Sequence, residues 1–301
     1  MNYLGIDTSN YTTSVAVFES ESGKIISEKI LLDSGDAVGL RQSEAHFLHT
    51  KNLPEIFNRL EFKGKISGVG VSNKPRAVEG SYMPCFLAGV SAASAVSSVL
   101  KLPLFSFSHQ EGHIAAAIYS AGKTELFEKG AKFYAYHLSG GTTELLKVTS
   151  TGTGFESEIA FKTKDISAGQ VLDRTGKMLG FKFPSGKEID ASALKSSSEK
   201  YLKCHKQDGF NFSGIENKVA LMIKTAKKED VSRYALLSVI KAISKSLEGI
   251  TEPVIMSGGV SSSLLLREKI KGNNIYYAAP EFSCDNAVGI AILASRKTEE
   301  R

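Results

Sequence analysis

One strand–turn–strand pattern occurs twice in this chain, at residues 3–18 and 133–148. In the first copy, apolar runs at 2–7 and 14–18 flank a polar turn at 8–13. In the second, runs at 133–138 and 144–148 flank Ser139-Gly140-Gly141-Thr142-Thr143. Short apolar runs bounded by turn residues read as β-strands. A device repeated at this separation points to two related halves rather than one doubly wound sheet. Length agrees, because 301 residues at about 150 per domain make about two domains.

The rest of the chain fits an α/β protein. Strands are expected at 24–32, 66–71, 103–107 and 253–256, and helices at 40–60, 86–100, 168–179, 189–194, 216–227, 232–247, 261–271 and 284–294. Residues 73–84 read as a loop, and the charged stretch 123–132 as a surface connection near the domain boundary. That boundary puts one domain at 1–120, with 286–301 packing back on it, and the other at 121–285. The chain is 42% hydrophobic and 23% charged, a globular composition that excludes disorder. No run of about 18 uncharged apolar residues occurs, so no membrane span is expected. The start, Met1-Asn2-Tyr3-Leu4-Gly5-Ile6-Asp7, lacks the basic and apolar regions of a signal peptide. Cys85, Cys204 and Cys284 are too scattered for a disulfide framework, which makes a cytoplasmic location the expectation. A net charge of +5 permits a nucleic-acid partner without requiring one.

Three turns have the character of a phosphate cradle: Asp7-Thr8-Ser9, Ser139-Gly140-Gly141-Thr142-Thr143 and Ser257-Gly258-Gly259. Glycine lets a backbone N–H approach a phosphate, and hydroxyls add donors. His109 and His113 stand four apart in His-Gln-Glu-Gly-His. On a helix this spacing puts two imidazoles on one face, suited to a shared metal. Glu111 is not placed like the base of His-Glu-x-x-His proteases, so a metallopeptidase is not supported. Gly112 is a poor helix interior residue and calls for a packing reason. Asp285, at the start of the closing helix, could cap that helix or bind metal. Asp173, beside Arg174 and Lys177, reads as an exposed ion pair, and Asp190 as an acid in the first turn of its helix. His46 and His49, near Glu44, read as a surface helix, and His205 as a solvated residue among lysines.

Taken in order, these residues resemble the tRNA threonylcarbamoyladenosine transferase (TsaD) family, formerly called O-sialoglycoprotein endopeptidase or glycoprotease. Gly5-Ile6-Asp7-Thr8-Ser9 resembles the family's opening Gly-Ile-Glu-Thr-Ser, and Ser108-His109-Gln110-Glu111-Gly112-His113 its Asn-His-x-Glu-Gly-His. Ser139-Gly140-Gly141, Gly169-Gln170-Val171-Leu172-Asp173-Arg174, Pro184-Ser185-Gly186-Lys187-Glu188-Ile189-Asp190, Ser257-Gly258-Gly259-Val260 and Cys284-Asp285-Asn286-Ala287 continue the series over nearly the whole chain. The resemblance implies an actin-like fold of the heat-shock-protein and sugar-kinase (ASKHA) superfamily, with two lobes and a nucleotide cleft. It implies a divalent metal, iron or zinc, held by His109, His113 and Asp285. His137 is an added candidate, since some members place a metal-binding Tyr there. It implies ATP or adenylate contacts from Asp7, Thr8, Ser9, Ser139, Gly140, Gly141, Thr142, Asp173, Gly186, Asp190, Gly258 and Gly259. The implied reaction is transfer of a threonylcarbamoyl group from its adenylate to a tRNA adenosine, with other threonylcarbamoylation proteins as partners.

The match has gaps. The family's acidic pair in Cys-Asp-Glu-Thr is replaced by Asn10-Tyr11-Thr12-Thr13, and its His after Ser-Gly-Gly is Thr142. Its Gly-Pro-Gly loop reads Asn73-Lys74-Pro75-Arg76, and a late Asn is Ser263. The sequence therefore names no catalytic acid or base. It keeps two alternatives open: a paralogue with a different carbamoyl acceptor, and a non-catalytic actin-like nucleotide-binding protein.

Overall fold

A computed structural model describes residues 1–9, 11–32, 40–203, 209–282 and 286–300, with Asn286 described by its backbone alone. The chain divides into two compact units. The first holds residues 1–131, 149–156 and 281–301, and the second holds 132–148 and 157–280.

The first unit is built on a five-stranded sheet. Its strands are β1 (Asn2–Ser9), β2 (Thr12–Glu19), β3 (Ile25–Leu31), β4 (Ile66–Lys74) and β5 (Leu104–Ser108), in the order β3-β2-β1-β4-β5. β2 lies antiparallel to both β1 and β3, while β4 runs parallel to β1 and β5. Central β1 is buried from Tyr3 to Ser9, as expected of a strand covered on both faces. Edge strand β3 keeps Glu28 and Lys29 in an alternating, half-exposed pattern. Helices α1 (Gln42–Arg59), α2 (Phe86–Leu100) and α3 (His109–Ser120) belong to this unit, as does the C-terminal helix Asn286–Glu299.

Small residues bring the C-terminal helix close to the sheet. A Cβ on Gly5 would stand 2.1 Å from the Ala287 carbonyl oxygen, and one on Gly70 2.8 Å from that of Ile290. A Cβ on Gly289 would lie 1.9 Å from the carbonyl oxygen of Gly112. The packing reason expected for Gly112 is thus a helix crossing in which both backbones touch.

The second sheet repeats the first sheet's order. Its strands are β6 (Lys132–Leu138), β7 (Thr143–Ser150), β8 (Phe155–Lys162), β9 (Val254–Ser257) and β10 (Ile275–Tyr277), ordered β10-β9-β6-β7-β8. Read from β8 inward, this matches β3-β2-β1-β4-β5, and β9 is parallel to both β6 and β10. Helices α4 (Ala168–Leu179), α5 (Gly186–Ala193), α6 (Ser213–Met222), α7 (Lys228–Ser246) and α8 (Leu264–Lys269) complete the unit, and the C-terminal helix is α9. The core of this unit gathers around α7, where Val231, Ala235, Leu236, Val239, Ile240 and Ile243 are buried.

The structure differs from the sequence reading at several points. The stretch 123–132 is not all surface, because a 3-10 turn, Thr124–Phe127, buries Leu126 and Phe127. Lys and Glu flank these two residues and hide the short apolar step. The expected helix 261–271 divides into a 3-10 turn, Gly259–Ser262, and α8. Strands β8 and β10 had not been expected. The start of the closing helix at 284–285 lies outside the described residues, as do Cys204, Cys284 and His205.

Candidate functional site

In the first unit, parallel pairing places the ends of β1, β4 and β5 side by side. Ile6 is registered with Val71, and Lys74 with Ser108. Asp7 therefore sits beside Ser72, and His109 opens α3 directly after β5. The Ser72 hydroxyl donates to the Asp7 carboxylate. His109 Nδ1 lies 3.1 Å from Asp7 Oδ1 and 3.2 Å from Oδ2. Asp7 is fully buried. Burial opposes its ionisation, but the neighbouring His109 charge and hydrogen bonds from His109, Ser72 and Ser9 outweigh it, holding the carboxyl below its usual range.

His109 and His113 meet as the spacing predicted, with ring centroids 4.7 Å apart and planes at 73°. Phe86 approaches His109 edge-on at 6.1 Å. Ser108 caps α3 by accepting from Glu111 N–H, while Glu111 Oε2 accepts from Ser108 N–H at 2.7 Å. Its other oxygen accepts from the Phe155 N–H at 3.4 Å. Glu111 is committed to a capping box, in line with its failure to match a protease base. The Asn73-Lys74-Pro75-Arg76 segment abuts this helix start, where the Pro75 carbonyl accepts from Gln110 N–H at 3.1 Å. Thr8 takes no part in this cluster. Its hydroxyl donates to the Cys85 carbonyl at 3.1 Å and accepts from Gly89 N–H at 3.1 Å.

Asp285, the third implied ligand, lies outside the described residues, as does Asn10. Among the described residues, no three His, Cys, Asp or Glu side chains are grouped to hold a metal. The donor chemistry of His109 and His113 nonetheless fits part of such a set: two imidazoles side by side on one helix face.

His49 corrects the surface reading of its helix. It is fully buried, with Nδ1 2.9 Å from the Thr13 hydroxyl, while His46 is half-buried. Burial is the main reason that its pKa falls to about 4, partly opposed by the charge of Asp7. The buried residues of α1 are Ala45, His49, Leu53 and Ile56. His49 thus occupies the apolar stripe, a signal its spacing already carried. Exposed Tyr11 and half-buried Thr12 stand where the family's acidic pair would be.

In the second unit, Ser139-Gly140-Gly141-Thr142 closes on itself and on α4. Ser139 N–H donates to the Thr142 carbonyl at 2.8 Å, and Thr142 N–H donates to the Ser139 hydroxyl at 3.0 Å. The Ser167 hydroxyl donates to the Gly140 carbonyl at 2.7 Å. A Cβ on Gly169 would lie 2.6 Å from Gly140 Cα, so glycine is required there for close contact. A Cβ at Gly140, Gly141, Gly186 or Gly259 would instead meet nothing within 4 Å. None of these four glycines has a positive φ. Neither conformation nor internal packing calls for glycine at these places. Gly258 differs, with φ 90° and the Leu138 carbonyl 2.3 Å from where a Cβ would stand. His137, half-buried in β6, pairs in register with Ser257.

Two acids are corrected. Asp173 is half-buried and forms no exposed ion pair with its neighbours. Its Oδ1 accepts from Ser185 N–H at 2.7 Å, and burial raises its pKa. Arg174 instead pairs with Glu216 at 2.9 Å. Asp190 lies inside α5 rather than serving its first turn, and it caps another helix. It accepts from the Ser263 hydroxyl at 2.6 Å, Leu264 N–H at 2.8 Å and Leu265 N–H at 3.2 Å. These two roles depend on contacts far along the chain, which local spacing cannot reveal.

Comparison with known proteins gives a consistent result. The family model described as TsaD, tRNA N6-adenosine threonylcarbamoyltransferase, matches residues 43–292. A tRNA N6-adenosine threonylcarbamoyltransferase from Aromatoleum aromaticum is 27% identical, over 98% of this chain and 91% of that protein. One from Campylobacter hominis is 29% identical, over 96% and 90%. Among solved structures, component A of (R)-2-hydroxyglutaryl-CoA dehydratase from Acidaminococcus fermentans superposes with TM-score 0.62 at 16% identity, covering 100% of both chains. A hexokinase of the ROK family from Thermus thermophilus gives 0.53 at 11% identity, again covering 100% of both. These structural likenesses identify the fold as the actin-like, sugar-kinase type.

Proposed function

Because the chain belongs to the tRNA N6-adenosine threonylcarbamoyltransferase family, we propose that it moves a threonylcarbamoyl group from threonylcarbamoyl-adenylate to the exocyclic amine of a tRNA adenosine. The observation that carries this reading is the family match over residues 43–292, which spans both histidines, all the open glycines and Asp285. In the step itself, the amine nitrogen bonds to the carbamoyl carbon. The carbon–oxygen bond of the mixed anhydride breaks, AMP leaves with the electron pair, and the amine gives up one proton.

His109, His113 and Asp285 would hold a divalent metal, iron or zinc, with His137 as a further candidate. Such an ion supplies Lewis acidity toward the carbonyl and a template for the anhydride. The chain's own residues bind and orient the adenylate. Gly140, Gly141 and Gly259 have open space beside the chain, room for a phosphate to approach the backbone, and Ser139 and Thr142 add hydroxyls nearby. Gly186, at the start of α5, has the same open space. Asp173 and Asp190 support this surface from within, by holding Ser185 and the start of α8. Asp7, Thr8, Ser9 and Gly258 complete the adenylate set that the family resemblance implies.

A second reading, with a different carbamoyl acceptor, is favoured by Tyr11 and Thr12 standing in place of the family's acids. One experiment separates the two. Purified protein is incubated with threonylcarbamoyl-adenylate and either tRNA or a panel of amines, with and without added divalent metal, and products are read by mass spectrometry. Threonylcarbamoyladenosine formed on tRNA, and lost in His109→Ala and His113→Ala, supports the transferase reading. AMP release without modified tRNA refutes it in favour of another acceptor. No AMP release under any metal supply refutes both.

A further inference from the structure

Asp7 is an unusual residue to bury. It is fully enclosed at the end of the central strand, where an ionised carboxylate is costly unless it is hydrogen-bonded. Its partners come from two other elements, Ser72 of β4 and His109 of α3, and both reach it through side chains. The carboxylate faces one imidazole nitrogen, Nδ1, with both oxygens at 3.1 and 3.2 Å. A carboxylate can only accept, so Nδ1 carries the proton. In neutral imidazole that leaves Nε2 with its lone pair bare, the form a metal takes. The ring is also held between its partners, with His113 at 4.7 Å and Phe86 at 6.1 Å.

We propose that Asp7 is a positioning residue for metal binding: it fixes His109 as the Nδ1–H tautomer, presents Nε2 as the ligand atom, and is itself held by the Ser72 hydroxyl. This inference rests on the reading of His109 and His113 as metal ligands. Carboxylates in this outer position orient the imidazole and raise its basicity, and losing one weakens metal affinity about 10–100-fold. Asp7→Asn keeps the size of the side chain and removes the charge. Its amide can present an N–H to Nδ1 and favour the wrong tautomer. Ser72→Ala leaves Asp7 in place but frees it, so its loss of affinity is smaller and in the same direction.

The test has two readouts, neither of them enzymatic activity. The first is long-range nitrogen–proton NMR of metal-free, wild-type protein at alkaline pH, assigned with His109→Asn. His109 is expected as the Nδ1–H form, and an Nε2–H form overturns the proposal. The second is titration with cobalt(II), followed by its visible absorption, of wild type, Asp7→Asn and Ser72→Ala. Wild type is expected to bind through His109 and His113, Asp7→Asn about 10–100-fold more weakly, and Ser72→Ala in between. If Asp7→Asn does not fold, Ser72→Ala carries the comparison. Wild-type binding with unchanged affinity in the folded variants overturns the role of Asp7 and leaves the metal site standing. No cobalt binding by wild type refutes the metal site itself, and the positioning role with it.

Discussion

Asp190→Ala tests whether a motif acid serves the ligand or the scaffold. The Asp190 side chain is buried and accepts three hydrogen bonds, from the Ser263 hydroxyl at 2.6 Å and the Leu264 and Leu265 amides at 2.8 and 3.2 Å. Truncation leaves the Leu264 and Leu265 amides without acceptors and takes away the partner of Ser263, the N-cap of α8. A buried unsatisfied donor costs about 1–3 kcal/mol. The effects overlap, so the expected loss is roughly 2–4 kcal/mol, against a total stability of about 5–15 kcal/mol. At about 2–4 °C per kcal/mol, the melting temperature should fall by roughly 4–16 °C. Hydrogen exchange localises the effect, with faster exchange at Leu264 and Leu265 and little change at Ile6 or Val71 in the other unit. Asp190→Asn keeps one carbonyl acceptor and should fall between the two. An alanine variant with wild-type melting and protection, but weakened adenylate binding, would refute the scaffold role and make Asp190 a direct contact.

Three further outcomes follow from the same geometry. Gly289→Ala should lower stability by about 3 kcal/mol, read by denaturant unfolding, because the new Cβ would meet the Gly112 carbonyl at 1.9 Å with backbone on both sides; wild-type stability would contradict the crossing. His49 has a folded pKa of about 4 against an ordinary 6.5. Protonation therefore favours the unfolded chain, and stability is full above pH 6.5 and declines as pH falls toward 4, by about 3 kcal/mol at ~1.4 kcal/mol per unit. His49→Gln should flatten that limb of the stability–pH curve, and an unchanged slope would place the titration elsewhere. Burial pushes the Cys85 thiol up to about 11, so peptide mapping after mild iodoacetamide treatment should find it unmodified in native protein and alkylated once unfolded.

The sequence disclosed most where local pattern and tertiary role coincide. Helices α2 and α4 run over the predicted residues 86–100 and 168–179, because caps and apolar spacing are local. The doubled strand–turn–strand device became two sheets of one order. The His109–His113 pair was legible because i, i+4 neighbours meet on any helix. Strand β8 was not, since only Phe155 and Phe161 are buried in Phe-Glu-Ser-Glu-Ile-Ala-Phe-Lys, which breaks the period-two signal at the sheet edge. The grip of Asp7 on His109 joins residues 102 apart, and that of Asp190 on Leu264 joins residues 74 apart. Such contacts exist only after the fold brings strand ends and helix starts together. Ser72, just past the expected strand 66–71, gains its task only from its place beside Asp7.

The central claim is tested most directly in cells. Total tRNA from a strain lacking this gene is digested to nucleosides and analysed by mass spectrometry, alongside the same strain carrying the wild-type gene or His109→Ala. The transferase account predicts that threonylcarbamoyladenosine disappears, returns with the wild-type gene and stays absent with His109→Ala. Threonylcarbamoyladenosine at its normal level in the deletion strain would contradict it, assigning that modification to another chain and leaving this one a relative with a different acceptor.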